Sequence, residues 1–186
     1  MTTKGTTMRS RLVLGLAAGV LLVTAGCGDD DEDEGFTADE RTAVAALTRT
    51  MEGSKPDEHE KAQWRCTAEG IVERVGITDL KKSGLLTDDL KSQLNQVKVN
   101  PEVASAIGDA YIDCYDIDGV VSRGKEQEAR VPAKAWDRYG ECLEQHRDKL
   151  RASVIEANTI KGGKQAQQAW TKALTACNKA LAAQAR

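Results

Sequence analysis

From residue 37 onward, apolar residues recur every three or four positions and charged residues fill the positions between them. Ala43, Val44, Leu47 and Met51 share one helical face behind Thr37-Ala38-Asp39-Glu40, a capping box with Glu three residues after a hydroxyl cap. Pro56, Asp57 and Glu58 open a second helix, with acids where the helix dipole favours them. Its stripe is Ala62, Cys66, Ile71, Val72 and Val75, and Gly76 is its stop. Two short helical pieces are predicted over 78–83 and 87–95, each with a Thr cap and acids behind it. Asn100-Pro101 caps a helix carrying Val103, Ile107, Ala110 and Cys114 in one seam. Residues 116–131, with Gly119 and Gly124 among mixed charges, read as a linker or loop. Pro132 opens a long helix with Trp136, Tyr139, Leu143, Leu150 and Val154, which Gly162-Gly163 breaks. A last helix carries Ala166, Ala169, Trp170, Ala173, Leu174, Cys177 and Leu181. Strand-type alternation is nearly absent, so the chain reads as all-α, with about five to seven helices.

The first 36 residues follow a different pattern. Lys4, Arg9 and Arg11 precede an unbroken apolar run over 12–23, then Thr24-Ala25-Gly26-Cys27. Twelve residues reach about 18 Å as a helix, against a bilayer core of about 30 Å. A basic start, a short apolar stretch and small residues before a cut describe a secretory signal. Ala25-Gly26-Cys27 after such a run resembles the lipobox of bacterial lipoproteins, with Thr24 where that family usually has Leu, Val or Ile. The resemblance covers about the first 28 residues. It implies removal of residues 1–26, a diacylglycerol thioether on Cys27, and attachment to the extracytoplasmic face of the cell membrane. The acidic run over 29–34 repels itself and stays solvated, so residues 27–36 read as a lipidated tether. In composition and start the chain also loosely resembles exported helical lipoproteins of actinobacteria.

Cysteines and an internal repeat organise the remainder. Residues 106–114 align without a gap on 169–177: in both, Ala lies eight and four positions before a cysteine. Cys66 follows Trp64, and Cys142 follows Trp136 and Tyr139. This suggests two helical repeats, over 37–121 and 122–186, each with two cysteine-bearing helices. With Cys27 lipidated, four cysteines remain in an exported chain, which favours two disulfides. Three pairings are open; the repeat favours Cys66–Cys114 and Cys142–Cys177. Bridges matter to a chain that is only 4% aromatic, whose core rests on Ala, Val, Leu and Ile.

The formal net charge of −3 gives no reason to expect a nucleic-acid partner, and it conceals an asymmetry. Residues 37–121 carry 10 basic and 16 acidic side chains; residues 122–186 carry 13 and 7. The halves could attract each other, or the basic half could face an anionic envelope polymer or lipid.

Candidate chemistry is thin. Ser122-Arg123-Gly124-Lys125 fits S-x-x-K but lies in an expected loop, with no Lys-Thr-Gly to complete such a site. Asp116-Ile117-Asp118-Gly119 resembles the middle of an EF-hand loop, yet Cys114 and Lys125 fall where the first Asp and the last Glu belong. It reads as a helix-ending turn. His59 and His146 have no partner at ligand spacing in the sequence, so neither a metal nor a cofactor is expected. The expectation is a non-enzymatic binding module for an envelope protein or polymer. The alternatives are a carrier or sensor holding a small apolar ligand between helices, lined by Trp64, Trp136 and Trp170, and an unrecognised envelope enzyme.

Overall fold

The computed structural model describes residues 35–184. The signal segment, Cys27 and the acidic run lie outside the described residues. Among the described residues there are eight helices: α1 (Ala38–Met51), α2 (Glu58–Val75), α3 (Ile77–Lys82), α4 (Pro101–Asp113), α5 (Ile117–Gln127), α6 (Ala133–Glu144), α7 (Arg147–Asn158) and α8 (Gln165–Gln184). Among the described residues there is no strand, only two isolated bridges, Leu86–Ser92 and Val99–Thr159. The fold is all-α. No described helix is long and apolar enough to cross a membrane.

The starts of α1 and α4 are set by the local caps that the sequence predicts, and α2 is capped by Asp57 just after Pro56. Helix α3, expected behind a Thr78 cap, instead starts at Ile77 behind Gly76 with no side-chain cap. Thr37 Oγ1 accepts from the Glu40 amide while the Glu40 carboxylate accepts from the Thr37 amide. Asp57 and Glu60 repeat this box at α2, and Asn100 accepts from Val103 with Pro101 at the first helical position of α4. Gly76, at φ +74°, ends α2 and leads directly into α3.

The helices pack in the spatial order α1–α2–α4–α7–α8–α6–α5. Two cores result. The first is built from Leu47, Ile71, Val72, Leu80, Leu85, Leu86 and Ile107 with their neighbours, and half-buried Val154 and Ile155 of α7 pack against it. The second holds Ile117, Val121, Val131, Ala135, Trp136 and Leu143, with Trp170, Leu174 and Leu181 of α8 alongside. Thus α5 joins the second core and part of α7 joins the first, although α5 begins before residue 122 and α7 lies after it. Residues from Gly35 onward form one compact unit. Phe36, read as the end of the tether, packs against the first core, and its carbonyl accepts from Arg41 Nη1 at 2.7 Å.

Four local expectations are corrected. The stretch 116–131 is not a loop: Asp116 accepts from the Gly119 amide at 2.8 Å and starts α5. The Asp116–Gly119 turn therefore opens a helix instead of ending one. The glycines that suggested a loop serve close approach: a Cβ on Gly119 would lie 1.9 Å from the capping carboxylate of Asp116, and one on Gly124 would lie 2.3 Å from Trp136. The stretch 87–95 is not helical. Thr87 Oγ1 takes the Lys91 amide at 2.9 Å, and Leu90 sits at φ +60°, a local arrangement that competes with a helix. Buried Leu85, Leu86 and Leu94 still anchor this irregular segment. The long helix after Pro132 is divided at Gln145 and His146, which lets α6 serve the second core while Val154 and Ile155 reach the first. Ala62, placed on the apolar stripe of α2, is exposed.

Two disulfides join the helices, Cys66–Cys114 between α2 and the end of α4, and Cys142–Cys177 between α6 and α8. This is the pairing that the repeat favours. Next to the first bridge, Gly70 allows α2 to approach α4: a Cβ there would lie 3.1 Å from Ala110 Cβ. Ala110 and Ala173, each four residues before the second cysteine of its pair, are both buried. Cys66 is exposed despite its place on the predicted apolar stripe, whereas Cys177 is buried.

Candidate functional site

The turn between α4 and α5 meets α6 and the start of α7 at a cleft of about 480 Å³, lined by Tyr115, Asp116, Asp118, Asp137, Glu141, Glu144 and Arg147 with Ile117, Val121 and Gly140 beneath. Local rules position each part. Asp116 is held by its capping bond, and its other oxygen lies 3.9 Å from His59 Nδ1 of α2. Arg147, at the start of α7, donates from Nη2 to the Tyr115 carbonyl at 2.8 Å. Its Nε lies 3.3 Å from Glu144 Oε2, near enough for charge attraction but without hydrogen-bond alignment. Asp137 pairs with Lys125 at 2.6 Å. Lys125 of the S-x-x-K stretch is therefore engaged in an ion pair on α5.

Tyr115 connects the cleft to an aromatic run. Its ring stacks with Tyr111 at 5.7 Å between centroids, and Tyr111 meets Trp64 at 5.8 Å. Burial, with Tyr115 alongside, pushes the Tyr111 hydroxyl up to about 12. Burial likewise raises Tyr115, helped by Tyr139 and opposed by Arg123 and Arg147. Both phenols stay neutral donors at physiological pH. With five carboxylates and one guanidinium on its walls, the cleft can attract cations and accept hydrogen bonds from them.

The three tryptophans are not gathered around one cleft. Trp64 lies in the aromatic run on α2 and α4. Trp136 is buried in the second core, edge-on to Tyr139 at 5.6 Å, and Trp170 packs against that same core. A second cleft, about 320 Å³ between α2, α3 and α4, is lined by mixed charges including Arg74, Asp79, Lys82 and Glu102.

One cluster was missed from the sequence. His146 offers a ring nitrogen to the sulfurs of Cys142 and Cys177, the three donor atoms lying within 4.8 Å of one another. The Cys142-x₃-His146 spacing was legible, but its third member comes from α8, 31 residues on. His59 stands apart, beside Asp116.

Compared with known proteins, the chain matches no family model, no curated protein and no solved structure.

Proposed function

We propose that this protein is an exported lipoprotein, anchored through a lipidated Cys27 to the extracytoplasmic face of a cell membrane, whose helical domain is a binding module for an envelope protein or polymer. The observation that carries the reading is the pair of interhelical disulfides, because such bridges persist in oxidising compartments outside the cytosol. The clefts support surface recognition over enclosure of an apolar ligand, since both are lined mainly by polar and charged side chains.

Two experiments test it. Metabolic labelling with a fatty acid should mark the wild-type chain and leave Cys27→Ser unlabelled; label on the variant refutes the anchor. Crosslinking in intact cells should recover a reproducible partner that Asp118→Lys with Glu141→Lys no longer captures. Equal capture by that variant excludes the cleft as the binding surface, and no reproducible partner overturns the module.

A further inference from the structure

The two disulfides sit in unlike surroundings. Beside Cys66–Cys114, the position four residues after the first cysteine is Gly70, packed against Ala110. Beside Cys142–Cys177, the same position is His146. Four residues is one helical turn, and although α6 ends at Glu144, the chain continues near helical geometry through Gln145. His146 therefore stays on the face of Cys142, opposite Cys177 of α8, with its ring nitrogen and both sulfurs within 4.8 Å of one another. Cys177 is 1% exposed, while Cys142 and His146 are half-buried at the rim.

We infer that, once its disulfide is reduced, the Cys142–His146–Cys177 cluster is a binding site for a thiophilic divalent cation of the zinc class. Two thiolates and an imidazole form a donor set that zinc accepts in sites with three protein ligands and one open position for water. Zinc–sulfur bonds of about 2.3 Å and zinc–nitrogen bonds of about 2.0 Å require tetrahedral donor separations of roughly 3.5–3.8 Å. To reach these, the sulfurs part from their bond and the imidazole moves in, starting from donors that already lie within 4.8 Å of one another. Lys149 Nζ, 3.3 Å from His146 Nδ1, gives way if Nδ1 is the ligating nitrogen.

The chemistry balances with a dithiol reductant. Its thiolate attacks the half-buried Cys142–Cys177 bond; the sulfur–sulfur bond breaks, and two electrons and two protons pass to the cysteines as the dithiol closes to its own disulfide. Zinc then binds both sulfurs and the imidazole, releasing the two thiol protons to solvent. Oxidation reverses the sequence and ejects the metal, so the site is gated by redox state.

The test uses the full chain, reduced and freed of reductant without air, titrated with Co²⁺ and then Zn²⁺. The expected result is one cobalt per chain with thiolate charge-transfer bands and tetrahedral visible bands, bleached by zinc and absent from oxidised protein. His146→Ala should weaken cobalt binding at least about tenfold and change the visible bands, since even outer-shell partners of metal ligands are worth that much. The double variant Cys66→Ala with Cys114→Ala should keep the signal. Circular dichroism of each sample covers loss of fold on reduction: zinc should then restore helicity in wild type and fail to do so in His146→Ala. Absence of cobalt binding, a signal indifferent to His146, or a reduced chain that zinc does not refold overturns the inference.

Discussion

Arg151 of α7 and Asp109 of α4 form an ion pair, Nε to Oδ1 at 2.5 Å, that fastens the basic half of the chain to the acidic half. Arg151 also donates from Nη2 to Ser105 Oγ at 3.1 Å. A second, looser link of the same sense joins Arg123 of α5 to Asp57 at the start of α2, at 3.8 Å. The charge asymmetry is thus used, at least in part, inside the fold.

Arg151 holds the Asp109 carboxyl below its ordinary value of 3.8, with Ser105 and Arg74 adding to the effect. A depressed carboxyl contributes stability above the unfolded value and loses it as pH falls through the folded one. Both side chains are more than a third exposed, so Arg151→Ala should cost only about 0.5–1 kcal/mol at neutral pH. The difference in thermal midpoint between wild type and variant should shrink as pH is lowered below 3.8.

Each disulfide closes a long loop, with sequence separations of 48 and 35. The chain-entropy relation assigns about 4 kcal/mol to either. Replacing Cys66 and Cys114 by Ala should lower the urea-unfolding free energy by about 2–4 kcal/mol while leaving the helical circular dichroism in place. A loss below about 1 kcal/mol would show that packing, not the staple, holds α2 against α4.

Gly124→Ala places a methyl group 2.3 Å from Trp136 Cζ3. The indole must move within the second core, at a cost of about 1–3 kcal/mol. The near-ultraviolet dichroism and fluorescence of Trp136 should change together with the unfolding midpoint. Gly53, with open space around it, is the control position: Gly53→Ala should leave the tryptophan spectra unchanged.

Glu156 of α7 reaches the start of α8, where its two oxygens accept from the Gln165 and Gln167 amides, both at 3.0 Å. A carboxylate there satisfies otherwise unpaired amides and opposes the positive end of the helix dipole. Glu156→Ala should cost about 1 kcal/mol, with faster amide exchange at Gln165 and Gln167 and little change in α4.

Tyr111 should ionise near 12 in the folded protein. A raised phenol contributes stability in full below its ordinary value of 10.0 and loses it as pH rises from there through about 12. Ultraviolet titration should show this step late in the folded chain and at the ordinary value in denaturant; Tyr111→Phe should remove it.

Much of the architecture follows from short stretches of chain. Thr37 and Glu40, Asp57 and Glu60, and Asn100 with Pro101 announce their helices because a cap is completed within four residues. The disulfide pairing, too, was suggested by a sequence repeat, since matched cysteine-bearing helices tend to meet in matched ways. The fold departs from those local signals where a residue meets a distant partner or where a competing local bond forms. Gly124 looks like a helix breaker until Trp136 is laid over it, and Thr87 with acids behind it looks like a helix cap although its hydroxyl takes the Lys91 amide and folds that segment into a turn.

Local pattern therefore decides where most helices begin and which faces are apolar, because backbone caps and side-chain periodicity act over a few residues. Which helices become neighbours is decided by packing over the whole domain. The break at Gln145–His146 sends α6 to one core and part of α7 to the other, joins Asp109 to Arg151, and carries His146 to the sulfur of Cys177. None of those contacts is encoded by spacing alone, because each depends on where two separately formed helices come to rest.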